Sequence, residues 1–322
     1  PLGAAAAAPA APPGEETKEG GGAAGQQNGG DDDEAGGQNA PPPPEPYDES
    51  RARDEREMFR REIAVMRLAR HDSVLPLLAV FEDRTHVHLV TPLMDCDLAS
   101  YLRKRQELGA PTDEKDARIC LPVVLEAVAY LHHLGVAHRD LKPDNILMDD
   151  ADDLSRLRLA DFSISQILKP DETSSKVAGS VEYMAPEIFL KKGAGFPADV
   201  WAVGVIAILV LFYRQPFGWG DSKAETIGAI LDNEIDPDLD WASCSPEAKD
   251  LFVNQMLVTD PKKRITAHDA LESHAWSLRA QRGAPKRTAF ERSNSEPTWL
   301  KAQLSTDASD PDHEPSEESS AA

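Results

Sequence analysis

Thirteen consecutive residues, Trp201 to Tyr213 (WAVGVIAILVLFY), contain no charged side chain. A surface helix shows one apolar stripe, whereas a helix apolar on every side has to be enclosed by other elements. The run is too short to cross a bilayer, which takes about 20 such residues. It therefore predicts a buried helix at the centre of a domain large enough to surround it. With 322 residues there is material for one large domain or two modest ones.

The ends of the chain set that domain's limits. Residues 1–46 are low complexity (AAAAAPAAPP, GGGAAGQQNGGDDDE, PPPPEP) and contain no valine, isoleucine or aromatic residue. Such a segment cannot bury enough apolar area to offset the entropy of ordering, so it is read as disordered. Residues 279–322, rich in Ser, Pro and acids, are read as a flexible tail. Of the net charge of -22, residues 1–50 carry -9 and residues 283–322 carry -4, leaving -9 between them. That acidity argues against nucleic acid and anionic membrane as partners, since both need basic surface. Cys96, Cys120 and Cys244 are scattered and odd in number, which fits a reducing compartment, with no zinc spacing. No cationic stretch precedes an apolar one, as a signal peptide would require. The expectation is a cytoplasmic protein, with the nucleus left open. A first residue of proline predicts a fragment or a processed product.

Between those ends the patterning alternates. Residues 51–70 read as a helix with Phe59, Ile63 and Met66 on one face. VLPLLAVF (74–81) and VHLV (87–90), joined by a polar turn, read as a hairpin. Helices are predicted over ASYLRKRQ and over residues 114–134, 222–234, 245–257 and 266–277. NILM and RLRLA read as short strands around the acidic turn DDADDLS.

The chemistry lies in five strings in fixed order: HRDLKPDN (138–145), DFS (161–163), GSVEYMAPE (179–187), ADVWAVGV (198–205) and DPKKR (260–264). On these the chain resembles the protein kinases over residues 47–278, and an unbroken eight-residue catalytic loop followed by four ordered partners is a specific match. The resemblance implies an α+β, bilobal fold with an upper lobe at 47–94 and a helical lower lobe at 95–278. It implies ATP and Mg2+ as cofactors and protein substrates as partners. Lysine at position 142 is similar to the serine/threonine branch, and DPKKRITAHDALESHAW resembles the calcium/calmodulin-dependent kinase group.

Phosphoryl transfer is mostly positioning and charge neutralisation, so few groups carry it. By resemblance Asp140 orients the substrate hydroxyl and Lys142 contacts the transferred phosphate. Asn145 and Asp161 supply hard oxygen ligands to magnesium. Thr91, the Met94 backbone, Asp97 and Leu147 belong to the nucleotide cleft, with Thr91 as gatekeeper and Leu147 as its floor. Asp97 and Asp144 also occupy slots that face substrate arginines. His138 and Phe162 are expected to stack with Met66 and Leu77, anchored by Asp199. Glu187 and Arg264 are expected to form a buried ion pair. Arg139 suggests control by a phosphate on Thr173, Ser174 or Ser175, while Ser180 keeps a hydroxyl near Asp140 and Lys142. Ser163 stands where the family has glycine, and its Cβ narrows the backbone choices of that segment.

Glu62 matches the helix glutamate that pairs with a strand lysine about twenty residues earlier in the family. That stretch of this chain is PPPP, and the sole lysine before Glu62 is Lys18, in a Gly/Ala-rich tract. The glycine-rich loop is missing with it. Three readings follow: a kinase whose upstream segment lies outside the chain given, a pseudokinase acting as scaffold or regulator, and a chain that transfers phosphate with unusual anchoring. In the tail, Arg292 to Pro297 (RSNSEP) match the phosphoserine pattern bound by 14-3-3 proteins, with Ser295 modified.

Overall fold

The computed structural model describes residues 49–83, 86–169, 171–175, 177–218 and 222–277, with side chains from Arg56 onward. All of them belong to the unit Asp48–Ala322.

The enclosed helix runs Phe196–Phe212 (α5) and starts five residues before the apolar run, at Pro197 in its first turn. Thirteen of its residues are buried, from Ala198 to Leu211. Two clusters wrap it. One gathers Leu121, Val124, Leu125, Val128 and Phe252, and the other gathers Trp201, Val205, Ile208 and Phe217. Trp201 stacks on Phe217 at 5.3 Å between ring centroids. Glycine at 204 suits the close packing, because a Cβ there would lie 3.0 Å from side-chain atoms of Leu257 and Met256.

The long helix against α5 is Glu114–His133 (α3), closed at its start by a capping box between Asp113 and Asp116. A shorter helix, Leu98–Glu107 (α2), precedes it. Helices Pro186–Phe189 (α4), Lys223–Asp232 (α6), Pro246–Lys249 (α7) and Ala267–Glu272 (α8) complete the lower lobe. The stretch expected as one helix over 245–257 is instead α7 followed by a π-helix, Asp250–Met256.

The upper lobe has, among the described residues, one helix, Glu49–Leu68 (α1), and an antiparallel ribbon of Ala79–Glu82 (β1) and Val87–Val90 (β2). The expected strand over 74–81 is shortened to its end. Pro76 has no N–H to give a ladder, and residues 73–75 turn the other way to pair with Leu159. That pairing joins the lobes: the Leu75 amide donates to the Leu159 carbonyl at 2.9 Å, and the Leu159 amide to Ser73 at 2.9 Å. Below it, Cys96–Asp97 (β3), Ile146–Met148 (β5) and Leu157–Leu159 (β6) form one small sheet, and Val136–Ala137 (β4) pairs with Gln166–Ile167 (β7). Among the described residues no helix is long and apolar enough to cross a membrane.

Candidate active site

The catalytic loop is held from beneath by one carboxylate. Asp199, at the start of α5 and 1% exposed, accepts the His138 amide at 2.9 Å and the Arg139 amide at 2.8 Å. These bonds let Arg139 adopt φ 72°. A left-handed non-glycine residue costs about 1–2 kcal/mol, and a bond to a charged acceptor contributes about 1.5–3 kcal/mol, so two of them outweigh the strain. His132, on the last turn of α3, adds a third contact to Asp199 at 2.9 Å. Burial alone would raise the Asp199 carboxyl, but the His132 bond and the Arg139 amide hold it below its ordinary value. No motif flagged His132; its sequence signal is only a polar residue on the C-terminal turn of a helix.

His138 is fully enclosed. Its Nε2 donates to the Ala160 carbonyl at 3.0 Å, and its ring lies 5.2 Å from that of Phe162. Burial pushes its pKa down. Met66 and Leu77 pack in the same cluster.

The loop then turns at Pro143–Asn145, with proline opening the turn. This brings Asp140, Lys142 and Asn145 together. The Lys142 ammonium lies 2.9 Å from Asp140 Oδ2, and Asn145 Nδ2 donates to the Asp140 carbonyl at 2.8 Å and to its Oδ2 at 3.2 Å. From the activation segment, the Ser180 amide and hydroxyl donate to Asp140 Oδ1 at 3.0 and 3.2 Å, and Lys142 donates to Ser180 Oγ at 3.3 Å. The glycine before that serine is dictated by space: Gly179 has φ 114°, and a Cβ there would lie 2.8 Å from the Arg139 carbonyl oxygen. Burial works to raise Asp140, but Lys142 and Ser180 prevail and keep it an anion. Lys142 is raised, chiefly by its bond to Asp140, so it stays a cation.

Asp161 opens the next strap with φ 62°. Its Oδ1 accepts the Ser163 hydroxyl at 2.6 Å and the Ser163 amide at 3.2 Å. The serine that replaces glycine therefore orients the carboxylate, a role the sequence reading did not foresee. Glu62 on α1 is near enough to Asp161 for the two carboxylates to interact. Burial first, and then that charge, raise its pKa. Among the described residues Glu62 has no cationic partner.

Thr91 directly follows β2. Met94 packs on the core beside Leu147, which pairs with Asp97 across β3 and β5. Asp97 has a use of its own: it caps α2, accepting the Ser100 amide at 2.7 Å and the Ser100 hydroxyl at 2.9 Å. Asp144 is exposed.

The regulatory expectation divides. Arg139 donates to the Ile164 carbonyl at 3.3 Å and to Gln166 Oε1 at 3.2 Å. Thr173 lies against Lys192 and Gly193, with its hydroxyl 3.5 Å from the Lys192 carbonyl. Thr173 and Ser175 are exposed. Ser174 is corrected: it is 5% exposed and pairs with Ala194 through both backbone groups, so its hydroxyl is not offered to a modifying enzyme. Ser295 and the Arg292–Pro297 pattern lie outside the described residues.

The residues present suit a magnesium–nucleotide complex. Asn145 spends its amide on Asp140, which leaves its carbonyl oxygen available, and Asp161 has one oxygen engaged and one to offer. These are the hard oxygen donors magnesium takes, usually one or two per site beside phosphate and water.

A lower lobe built on a buried helix, with an aspartate, a lysine and an asparagine on a loop pinned to that helix, is the arrangement of the protein kinase fold. A family model described as the protein kinase domain matches residues 47–277, so the chain belongs to the protein kinase family. Relatives include a "CDPK-related protein kinase" of Daucus carota, 38% identical over 219 residues, and "Calcium-dependent protein kinase 2" of Arabidopsis thaliana, 41% identical over 221 residues. "Calcium-dependent protein kinase 6" of Oryza sativa subsp. japonica is 39% identical over 219 residues. Each alignment covers 67% of this chain but only 35%, 33% and 39% of the relative, respectively. The chain spans about a third of the length of the curated relatives it matches.

Proposed function

We propose that this chain transfers the γ-phosphoryl group of ATP to serine or threonine hydroxyls of protein substrates. One observation supports this above all: Asp140, Lys142, Asn145 and Ser180 meet within hydrogen-bond distance, with both Asp140 oxygens anionic and oriented. Asp140 accepts a hydrogen bond from the substrate hydroxyl and takes its proton as the oxygen attacks. Lys142, already charged and beside Asp140, moves its ammonium onto the phosphoryl oxygens. Ser180 fixes the carboxylate that would otherwise rotate. Asn145 and Asp161 would hold magnesium, which when bound neutralises phosphate charge. Asp144 supports an arginine near the target residue. Phosphorylation of Ser295 would add a 14-3-3 partner.

A second reading has its own observation. Among the described residues Glu62 has no cation to hold, and burial raises its pKa. In that reading the domain serves as a scaffold or regulator. Incubation with Mg-ATP and arginine-containing serine peptides decides between them. Transfer by the chain, reduced at least a hundredfold in Asp140→Asn, supports the kinase reading. No transfer by either, with an intact fold, supports the scaffold.

A further inference from the structure

Among the described residues no third strand pairs with the β1–β2 ribbon. A two-stranded ribbon is marginal in water, and a wider sheet is needed for independent stability. The register, continued by one residue, sets Asp83 opposite His86, and the Asp83 amide donates to the His86 carbonyl at 2.9 Å. Such bonded pairs alternate with unbonded ones along an antiparallel ladder. His86, His88 and Val90 therefore turn their backbone groups toward β1, and the Leu78 amide accordingly reaches the Val90 carbonyl at 2.8 Å. Val87 and Leu89 turn theirs outward, along a free edge. An edge of this kind is a template for another strand.

The strand that fits it is the same edge of a second copy. Val87–Val90 (VHLV) contains no acid, lysine or arginine. The other edge of the ribbon ends in Glu82 and Asp83, and charged edges resist pairing. A two-fold axis at His88 sets Val87 opposite the partner's Leu89. The N–H and C=O groups that Val87 and Leu89 turn outward then satisfy those of the other copy. Val87 lines the α1 side and Leu89 packs on the core, so their side chains form apolar cross-strand pairs on one face. On the opposite face His88, 55% exposed and 2.9 Å from Asp83, meets its own counterpart. The strands run in opposite directions, so the two lower lobes, each entered after β2, lie at opposite ends of the joined sheet. The chain's own remaining segments suit this edge poorly, since residues 1–46 and 278–322 hold no valine or isoleucine, which favour strands.

We propose that β2 is a dimerisation edge: two copies of this chain pair Val87–Val90 antiparallel about a two-fold axis at His88, and their ribbons join into one four-stranded sheet. This goes beyond the transferase reading and stands whether or not phosphate is transferred.

Sedimentation of the full chain from about 1 to 300 µM covers the affinities of small, weak interfaces. The mean mass is expected to rise from that of a monomer toward that of a dimer. Val87→Pro removes an outward N–H at the first residue of a strand, where proline is tolerated and the bonds to β1 remain. It is expected to weaken association at least tenfold, with an unchanged circular dichroism spectrum. His88→Cys tests the register without disturbing the edge. Directly opposed unbonded residues lie about 4.5 Å apart between Cα atoms, which is within disulfide range. Mild oxidation is expected to cross-link His88→Cys at least ten times faster than Val90→Cys, which lies opposite the partner's His86, or than the parent chain with its partly exposed Cys96 and Cys244. A monomer across the whole range overturns the proposal. So does undiminished association in Val87→Pro, or cross-linking no faster in His88→Cys than in Val90→Cys.

Discussion

Arg264 forks onto Glu187 with two bonds of 2.7 and 2.9 Å, and the two side chains are 0% and 3% exposed. The same guanidinium donates to the carbonyls of Val258 and Pro197 and lies 5.1 Å from the Trp201 ring. One side chain thus ties the end of the activation segment to the enclosed helix and to the turn after the π-helix. Removing either partner strands a buried charge, at a cost of about 3–5 kcal/mol. Arg264→Met and Glu187→Leu are each expected to lower the melting temperature by roughly 10 °C, at about 2–4 °C per kcal/mol for a domain of this size. The double variant is expected to lose less than the sum, which scanning calorimetry of all four proteins checks.

The Ser163 hydroxyl orients Asp161 at 2.6 Å. Groups that orient a metal ligand typically matter about 10- to 100-fold in metal affinity. Ser163→Gly is therefore expected to weaken magnesium-dependent nucleotide binding about tenfold, and Ser163→Thr, which keeps the hydroxyl, to recover most of it. Manganese binding followed by electron paramagnetic resonance in the presence of ATP provides a readout independent of turnover. Equal affinities across the three proteins would remove Ser163 from this role.

His138 is buried neutral, and its pKa is lowered by that burial. The unfolded chain therefore binds its proton at higher pH than the folded one. The sign follows: the folded state has its full advantage above the ordinary histidine value near 6.5 and loses it as pH falls below that. The loss is at most about 1.4 kcal/mol per pH unit for one proton. Denaturant titrations between pH 7.5 and 5 are expected to show a shallower decline in His138→Phe than in the parent chain. Parallel curves would contradict this.

Much of this was legible in the sequence because it rests on local signals. The all-apolar stretch announced α5, and the pattern over 114–134 announced α3. The strings around Asp140, Asp161 and Ser180 carried the site, since chemistry fixes those residues and their spacing. What escaped depends on distant partners. VLPLL has the apolar content of a strand, but Pro76 and the pull of Leu159 redirect it. Ser174 looked like any polar loop residue, and only its pairing with Ala194, twenty positions away, buries it. The carboxylate of Asp97 was assigned to the cleft, and Ser100 shows its additional work as a helix cap.

We propose that Asn145 and Asp161 hold the metal of a nucleotide whose phosphates lie beside Asp140 and Lys142. Calorimetric titration of the full chain with ATP, with and without magnesium, tests it most directly. The expected result is binding that strengthens at least tenfold with magnesium and loses that gain in Asp161→Ala. Magnesium-independent binding, or a gain that survives in Asp161→Ala, would contradict it.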